Sequence, residues 1–354
     1  MAQKITLTSG SVLNGNPITF AIQPNVITGK DADGNTIYPS FHRVIVEVIC
    51  GMSGGSYETI KMSQPVEEES PATIVNIDIA SALRTFRDSY TYSPEPTSYP
   101  MVKFMVKAYD EYMLDGEVKQ VGIVYFPSSS TYLCTLFGAF SDFDRLTSNE
   151  TKGLKTLSRK PSSLPQIVVI GETFTYAPPY STEQNLASSS DLVAPESKSV
   201  MVSKEGAQTL GYQSVYALPA SDISNRQQFR FINSFGVLES ISVPKAYSRK
   251  MAVTSNSYVV TRQETFSSFS RKSIVKQNDN ESWPFTTDPL DENWLDWYAH
   301  EFLMSEHIWI LINDVWVPCT VTPSDDMTLT NHTEDNMYSI SFTATLDING
   351  STLI

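Results

Sequence analysis

The stretch from Trp294 to Ile348 constrains this chain more than any other. Residues 337–348 (Met-Tyr-Ser-Ile-Ser-Phe-Thr-Ala-Thr-Leu-Asp-Ile) alternate large apolar with small polar side chains over most of their length. Period two is the signature of a strand with one buried face. Ile308–Ile312 and Val315–Val321 predict two more strands, joined at Asn313-Asp314. Trp294 to Met304 predicts a short helix ahead of them, with Ser305-Glu306-His307 as a turn. Trp294, Trp297 and Trp309 fall within sixteen residues, and Trp316 lies just beyond. Large aromatic rings bury the most area per residue, so these four tryptophans are the expected core anchors of the last domain.

The same end of the chain carries all the net charge. After Lys276 there is no Lys or Arg, and fourteen Asp and Glu follow. The first 276 residues hold 25 bases and 25 acids, so the formal charge of −14 belongs to the final 78 residues. A carboxylate-rich surface keeps a domain soluble, repels nucleic acid, or meets a basic partner. Asp325, Asp326, Glu334 and Asp335 are the candidate acids of such a surface. With a pI near 4.7, sequence-specific nucleic-acid binding is not expected.

At 354 residues the chain has room for two or three domains. Charged residues make up 18%, below the ~25% usual for soluble proteins, and polar uncharged and aromatic residues fill the difference. That composition suits β-sandwiches and assembly proteins. Strand-like runs recur between Gly, Pro and Asn punctuation: His42–Cys50, Thr73–Ile79, Met101–Tyr109, Val118–Phe126, Gln166–Ile170, Gln213–Leu218 and Gln228–Ile232. The expected fold is mainly β, with several antiparallel sandwich-like domains and a short helix in the C-terminal region. Residues 1–140 form an N-terminal β-sandwich-like domain. Residues 141–164 form a linker or arm, 165–243 a second β-domain, and 244–354 an acidic α+β domain. Lys152, Lys155, Arg159 and Lys160 make the arm basic; it is read either as a solvated loop or as a contact with an acidic neighbouring subunit.

Chemistry-bearing patterns are few. Cys50, Cys134 and Cys319 are too far apart for a metal or redox motif. His300-Glu301 and Glu306-His307 lack the spacing that places two histidines on one helix face, so aromatic packing with exposed carboxylates is expected there. No nucleophile elbow, P-loop or dinucleotide fingerprint occurs. The expectation is a non-enzymatic chain without cofactor or metal. No apolar run reaches the length of a membrane span, and the first residues lack a secretory signal, so synthesis in a cytoplasm is expected.

Phe229-Arg-Phe-Ile-Asn-Ser-Phe-Gly-Val-Leu-Glu-Ser240, with the downstream Trp294–Val317 stretch, resembles a pattern in virion tail proteins of phages infecting Bacteroides and relatives. Asn14-Gly-Asn-Pro-Ile-Thr-Phe-Ala-Ile22 resembles their opening strands. The resemblance covers about half the chain in patches, and 127–210 does not align. It implies a tail, baseplate or neck component that forms a homo-oligomeric ring around the DNA channel, contacts other tail proteins and resides in the virion. It carries over no catalytic residue. A glycan-binding receptor-recognition module is the alternative reading, in which tryptophans face solvent as a sugar platform. A surface hydrolase with two converging acids is a weaker third.

Overall fold

A computed structural model describes residues 4–9, 13–30, 32–52, 55–67, 73–97, 100–114, 116–138, 157–161, 164–177, 196–246, 248, 250–260, 271–324 and 338–346; over 251–281 only the backbone is described. Strands take 56% of the described residues and helices 10%, which makes the chain mainly β.

The N-terminal unit is a sandwich. One sheet runs β1 (Lys4–Ser9), β2 (Thr19–Gln23) and, further along the chain, Val75–Asp78. A small hairpin, β3 (Gly29–Lys30) and β4 (Thr36–Ile37), precedes the second sheet. That sheet is built on β5 (Ser40–Met52), which pairs with β6 (Glu58–Pro65). The strand Val75–Asp78 is β7, and α1 (Ala80–Asp88) follows it. On its other side β5 pairs with β8 (Met101–Leu114). Beside β8 lie both β9 (Glu117–Phe126) and β10 (Leu133–Leu136). Alternation decides the packing: Val44, Val46, Val48 and Cys50 of β5 meet Phe20, Ile22 and Ile77 of the facing sheet, and Ile18 just before β2, in one core. The Asp78 carboxylate accepts from the N–H groups of Ile18 at 2.9 Å and Ala80 at 3.0 Å, fixing the sheet edge and the start of α1 together.

On β8, Glu111 accepts from Arg43 Nε at 2.9 Å and Gln120 Nε2 at 3.2 Å. The Arg43 hydrogen bond holds the Glu111 carboxyl below its ordinary range, against the opposing effect of burial. A depressed carboxylate contributes stability above the unfolded value of about 4.3 and loses it as pH falls through the folded value. Glu111→Gln is therefore expected to lower the denaturant midpoint at neutral pH. The difference from wild type should close below about pH 4.

The middle unit is small. β11 (Gln166–Val169), β12 (Thr173–Tyr176), β13 (Lys198–Met201), β14 (Gly206–Leu210) and β15 (Gln213–Leu218) form a three-stranded sheet, β11-β15-β14, and the β12–β13 pair. Val168, Phe174, Val202, Val215 and Ala217 are its core.

The C-terminal unit is a seven-stranded antiparallel sheet. Its strands are β16 (Arg226–Ile232), β17 (Leu238–Pro244), β18 (Lys250–Val260), β19 (Arg271–Thr286), β20 (Ile308–Ile312), β21 (Val315–Pro323) and β22 (Ser341–Leu346), in the order β17-β16-β20-β21-β22-β19-β18. The helix α2 (Glu292–Trp297) continues as a π-helical turn over Tyr298–Phe302. Asp291 caps α2 by accepting from Trp294 N at 2.9 Å. Phe229, Phe231, Phe285, Trp294, Trp297, Tyr298, Phe302 and Phe342 lie in one aromatic core.

The expected boundary at 243/244 is corrected by this sheet. Residues 226–244 belong to the C-terminal unit, because Phe229 pairs with Ile310 and Ile232 with Leu238. Alternation marks a strand but does not name its partner, and here one partner lies about eighty residues downstream.

Asn313 and Asp314 join β20 to β21 with φ of 49° and 63°. Positive φ at both central positions is the tight hairpin geometry whose twist matches the strands. Asp314→Val, a β-branched residue in the left-handed region, is expected to cost about 1–2 kcal/mol, read as a lower thermal midpoint. Elsewhere backbones meet closely: a Cβ on Gly138 would lie 2.6 Å from the Phe235 backbone. That approach belongs to a further cluster in which Leu13, Met101, Cys134 and Leu136 of the first unit pack on Phe235 and Val237 of the last.

Candidate functional site

Trp294 and Trp297 are each 3% exposed and Trp309 is 8% exposed. The first two sit in the aromatic core, with ring centroids 5.2 Å apart. Trp309 packs in a separate cluster with Ile232 and Leu238, and Tyr92 of the first unit and Trp316 lean on it. Trp316 is half-buried, and the Arg230 guanidinium lies 4.3 Å over its ring. None of these four forms an open sugar platform.

The basic arm is corrected where it is described. Arg159 ion-pairs with Glu301, and Lys160 Nζ lies 3.2 Å from Glu239 Oε2. The Lys160 and Glu239 side chains are 2% and 0% exposed, so this pair is neither a solvated loop nor open to another subunit. Lys152 and Lys155 lie outside the described residues. The physical reason is a set of buried acids presented by the C-terminal unit, in particular Glu239 on β17.

These pairs belong to a polar seam between units. Glu239 Oε1 accepts from Asn233 Nδ2 at 2.6 Å, and Asn233 Nδ2 also donates to the Leu157 carbonyl at 2.9 Å. Glu301 accepts from Ser234 N at 2.8 Å and Ser234 Oγ at 2.9 Å. Arg226 binds both oxygens of Asp288, at 2.9 and 2.7 Å. Glu172 accepts from Val169 N at 2.9 Å and Ser242 Oγ at 2.8 Å. Burial pushes the Lys160 ammonium below its ordinary range and the Glu172 carboxyl above its own; Glu239 and Ser242 respectively pull them back. The edge of β17 is also covered, since Ser240 Oγ accepts from Thr175 N at 2.8 Å. The Thr175–Ser240, Glu172–Ser242, Lys160–Glu239 and Arg159–Glu301 contacts lock the middle unit and the 157–160 segment onto the last unit.

Glu301, expected to be an exposed carboxylate, is 3% exposed and serves this seam. His300 Nδ1 pairs with Asp296 Oδ1 at 3.0 Å on the surface, while His307 lies against Tyr92 and Trp309. The two histidines therefore face different surroundings. Among the described residues no group of three His, Cys, Asp or Glu is placed to hold a metal. Asp325, Asp326, Glu334 and Asp335 lie outside the described residues.

The feature left open is a ribbon. β18 pairs with β19 from Val260↔Arg271 down to Lys250↔Ser282. β22 reaches only Ser282–Thr286 of β19. Among the described residues, Arg271–Glu281 therefore has β18 on one side and no strand on the other, and β18 has no second partner. Eleven residues at ~3.3 Å each extend about 36 Å beyond the sheet. At its root an open cavity of about 390 Å³ is lined by Trp283, Phe285, Leu311 and Ile312, with Gln227, Lys245 and Asn313 as polar members. The sequence does not announce this ribbon, for want of a tight-turn pair between its strands.

Comparison with protein-family models, with curated proteins and with solved structures gives no match to this chain.

Proposed function

We propose that the chain is a structural subunit of a phage tail, baseplate or neck, made in the host cytoplasm and assembled in the virion as a homo-oligomeric ring around the DNA channel. The ribbon of β18 and β19 carries this reading. Open strand edges are a liability for a single copy, and natural proteins blunt or cover them. An isolated two-stranded ribbon is at best marginally stable, so a ribbon of this length is best explained by a neighbour that completes it. The buried ionic seam supplies the other requirement of a ring protein, β-units held in fixed relation. The final 78 residues, all acid and no base, suit a wall that passes DNA without gripping its phosphates. Other tail proteins are the further partners, and no catalytic role is proposed.

The test is the mass of the purified chain in solution, followed by negative-stain imaging of the same sample. Closed rings support the reading and give the symmetry. A particle in which the acidic unit forms the outer rim, around a basic channel, removes the channel-wall role.

The second reading, glycan recognition, draws on one observation: Trp283 lines the cavity at the ribbon root beside Gln227, Lys245 and Asn313. Specific retention on a glycan array, lost in Trp283→Ala, would favour it over the ring.

A further inference from the structure

Resting on the ring reading, we infer that the ribbon docks head-to-tail on the carboxylate-bearing surface of the C-terminal unit of a second copy. The switch in charge falls on β19 itself. β18 and the distal part of β19 carry Lys250, Arg271, Lys272 and Lys276 and no acid up to Lys276. From Gln277 onward every charged residue is acidic. The body of the same unit exposes Glu292, Asp296, Glu306 and Asp314. One chain thus carries both halves of a complementary pair.

Geometry and charge together select the mode of contact. The far edge of the sheet, β17, is covered by β12 through Ser240 and Thr175, so a neighbour cannot extend the sheet there. Two ribbons joined symmetrically through the distal half of β19 would set Arg271, Lys272 and Lys276 of one copy against the same residues of the other, since Asp279 and Glu281 lie nearer the root. Like charges facing each other across strands are destabilising. Laying the ribbon on the acidic body of the next copy offsets those cations instead. A contact between two different patches is heterologous, and such contacts close into rings when the rotation allows. The attraction lies between surface charges, so it weakens as salt shortens the Debye length.

The test uses the full chain and two charge-reversed variants. The ribbon variant is Lys272→Glu with Lys276→Glu; the body variant is Glu292→Lys with Asp296→Lys. Mass is read by analytical ultracentrifugation at low and high salt, and thermal unfolding of each variant checks its fold. Wild type is expected to be oligomeric at low salt and to dissociate as salt rises. Each variant alone is expected at the mass of one chain, 39.4 kDa. Their equimolar mixture is expected to recover the oligomer, because each ribbon then meets a body of opposite sign. A body variant that stays oligomeric alone points to ribbon-on-ribbon contact and overturns the proposal. An oligomer unmoved by either reversal overturns the ribbon contact and leaves the ring reading standing. Wild type that stays monomeric at the highest concentration overturns the contact and withdraws the support of the ring reading with it.

Discussion

Trp297→Ala is expected to lower the unfolding free energy by about 3–5 kcal/mol, the range for truncating a large buried aromatic. The ring is 3% exposed and touches neighbours on every side. Trp294 and Tyr298 stand edge-on at 5.2 and 5.1 Å, Phe231 at 5.7 Å, and Lys160 Nζ lies 5.5 Å over the ring. Neighbours on the sheet and on α2 cannot all close on the space, so the cost includes a cavity as well as lost transfer energy. A domain is stable by only about 5–15 kcal/mol, so the variant loses a large share of its margin. Trp297→Phe provides the control. The indole N–H has no hydrogen-bond partner among the described residues, so phenylalanine forfeits no bond and restores most of the volume. Its cost is expected to be well under half that of alanine. Chemical denaturation of the three chains decides the matter, and an unchanged midpoint for Trp297→Ala removes this residue from the core.

Why the C-terminal strands were legible and their neighbours were not is a question of distance along the chain. Asn313-Asp314 between two apolar runs specifies its hairpin locally, since both the turn residues and the strands they join lie within sixteen positions. The same holds for β5 and β8, whose alternating Val and Phe residues declare a buried face. β16 shows the limit. Its alternation was visible, but nothing within 226–232 says that Ile310 is its partner, and so the domain boundary was set on the wrong side of it.

Charge was the less reliable guide. A run such as Ser158-Arg-Lys-Pro161 is ordinarily solvated, because burying an ammonium without a counter-charge is costly. Lys160 escapes that rule through Glu239, 79 positions away. Glu301 escapes it through Arg159 and Ser234. Ionic partners remote in sequence leave no periodic trace, so the polar seam was invisible while the apolar core it borders was not. The partition of charge at Lys276 was plain from the start; what it lacked was the ribbon on which the switch occurs.

Lys160→Met is expected to cost about 3–5 kcal/mol, because it leaves a carboxylate buried without its cation. Asn233 Nδ2 would then be the remaining donor to Glu239 that the seam supplies. The reverse truncation is expected to be milder. Burial already pushes the Lys160 ammonium below its ordinary range, so in Glu239→Gln it can shed its proton, while glutamine keeps an oxygen for Asn233. That asymmetry has a pH signature. When the folded chain has released a proton that the unfolded chain still holds, stability rises with pH. Glu239→Gln should therefore gain stability from neutral pH toward the unfolded lysine value of about 10.4, more steeply than wild type, and Lys160→Met should lack this component. The double variant Lys160→Met with Glu239→Leu removes both charges, and Asn233 Nδ2 keeps the Leu157 carbonyl as acceptor. It is expected to recover most of what Lys160→Met loses, since replacing a buried ion pair by apolar residues is often neutral or stabilising. Denaturant unfolding of the four chains across pH tests these expectations together. If Lys160→Met unfolds at the wild-type midpoint, the pair is not what holds the 157–160 segment to the sheet.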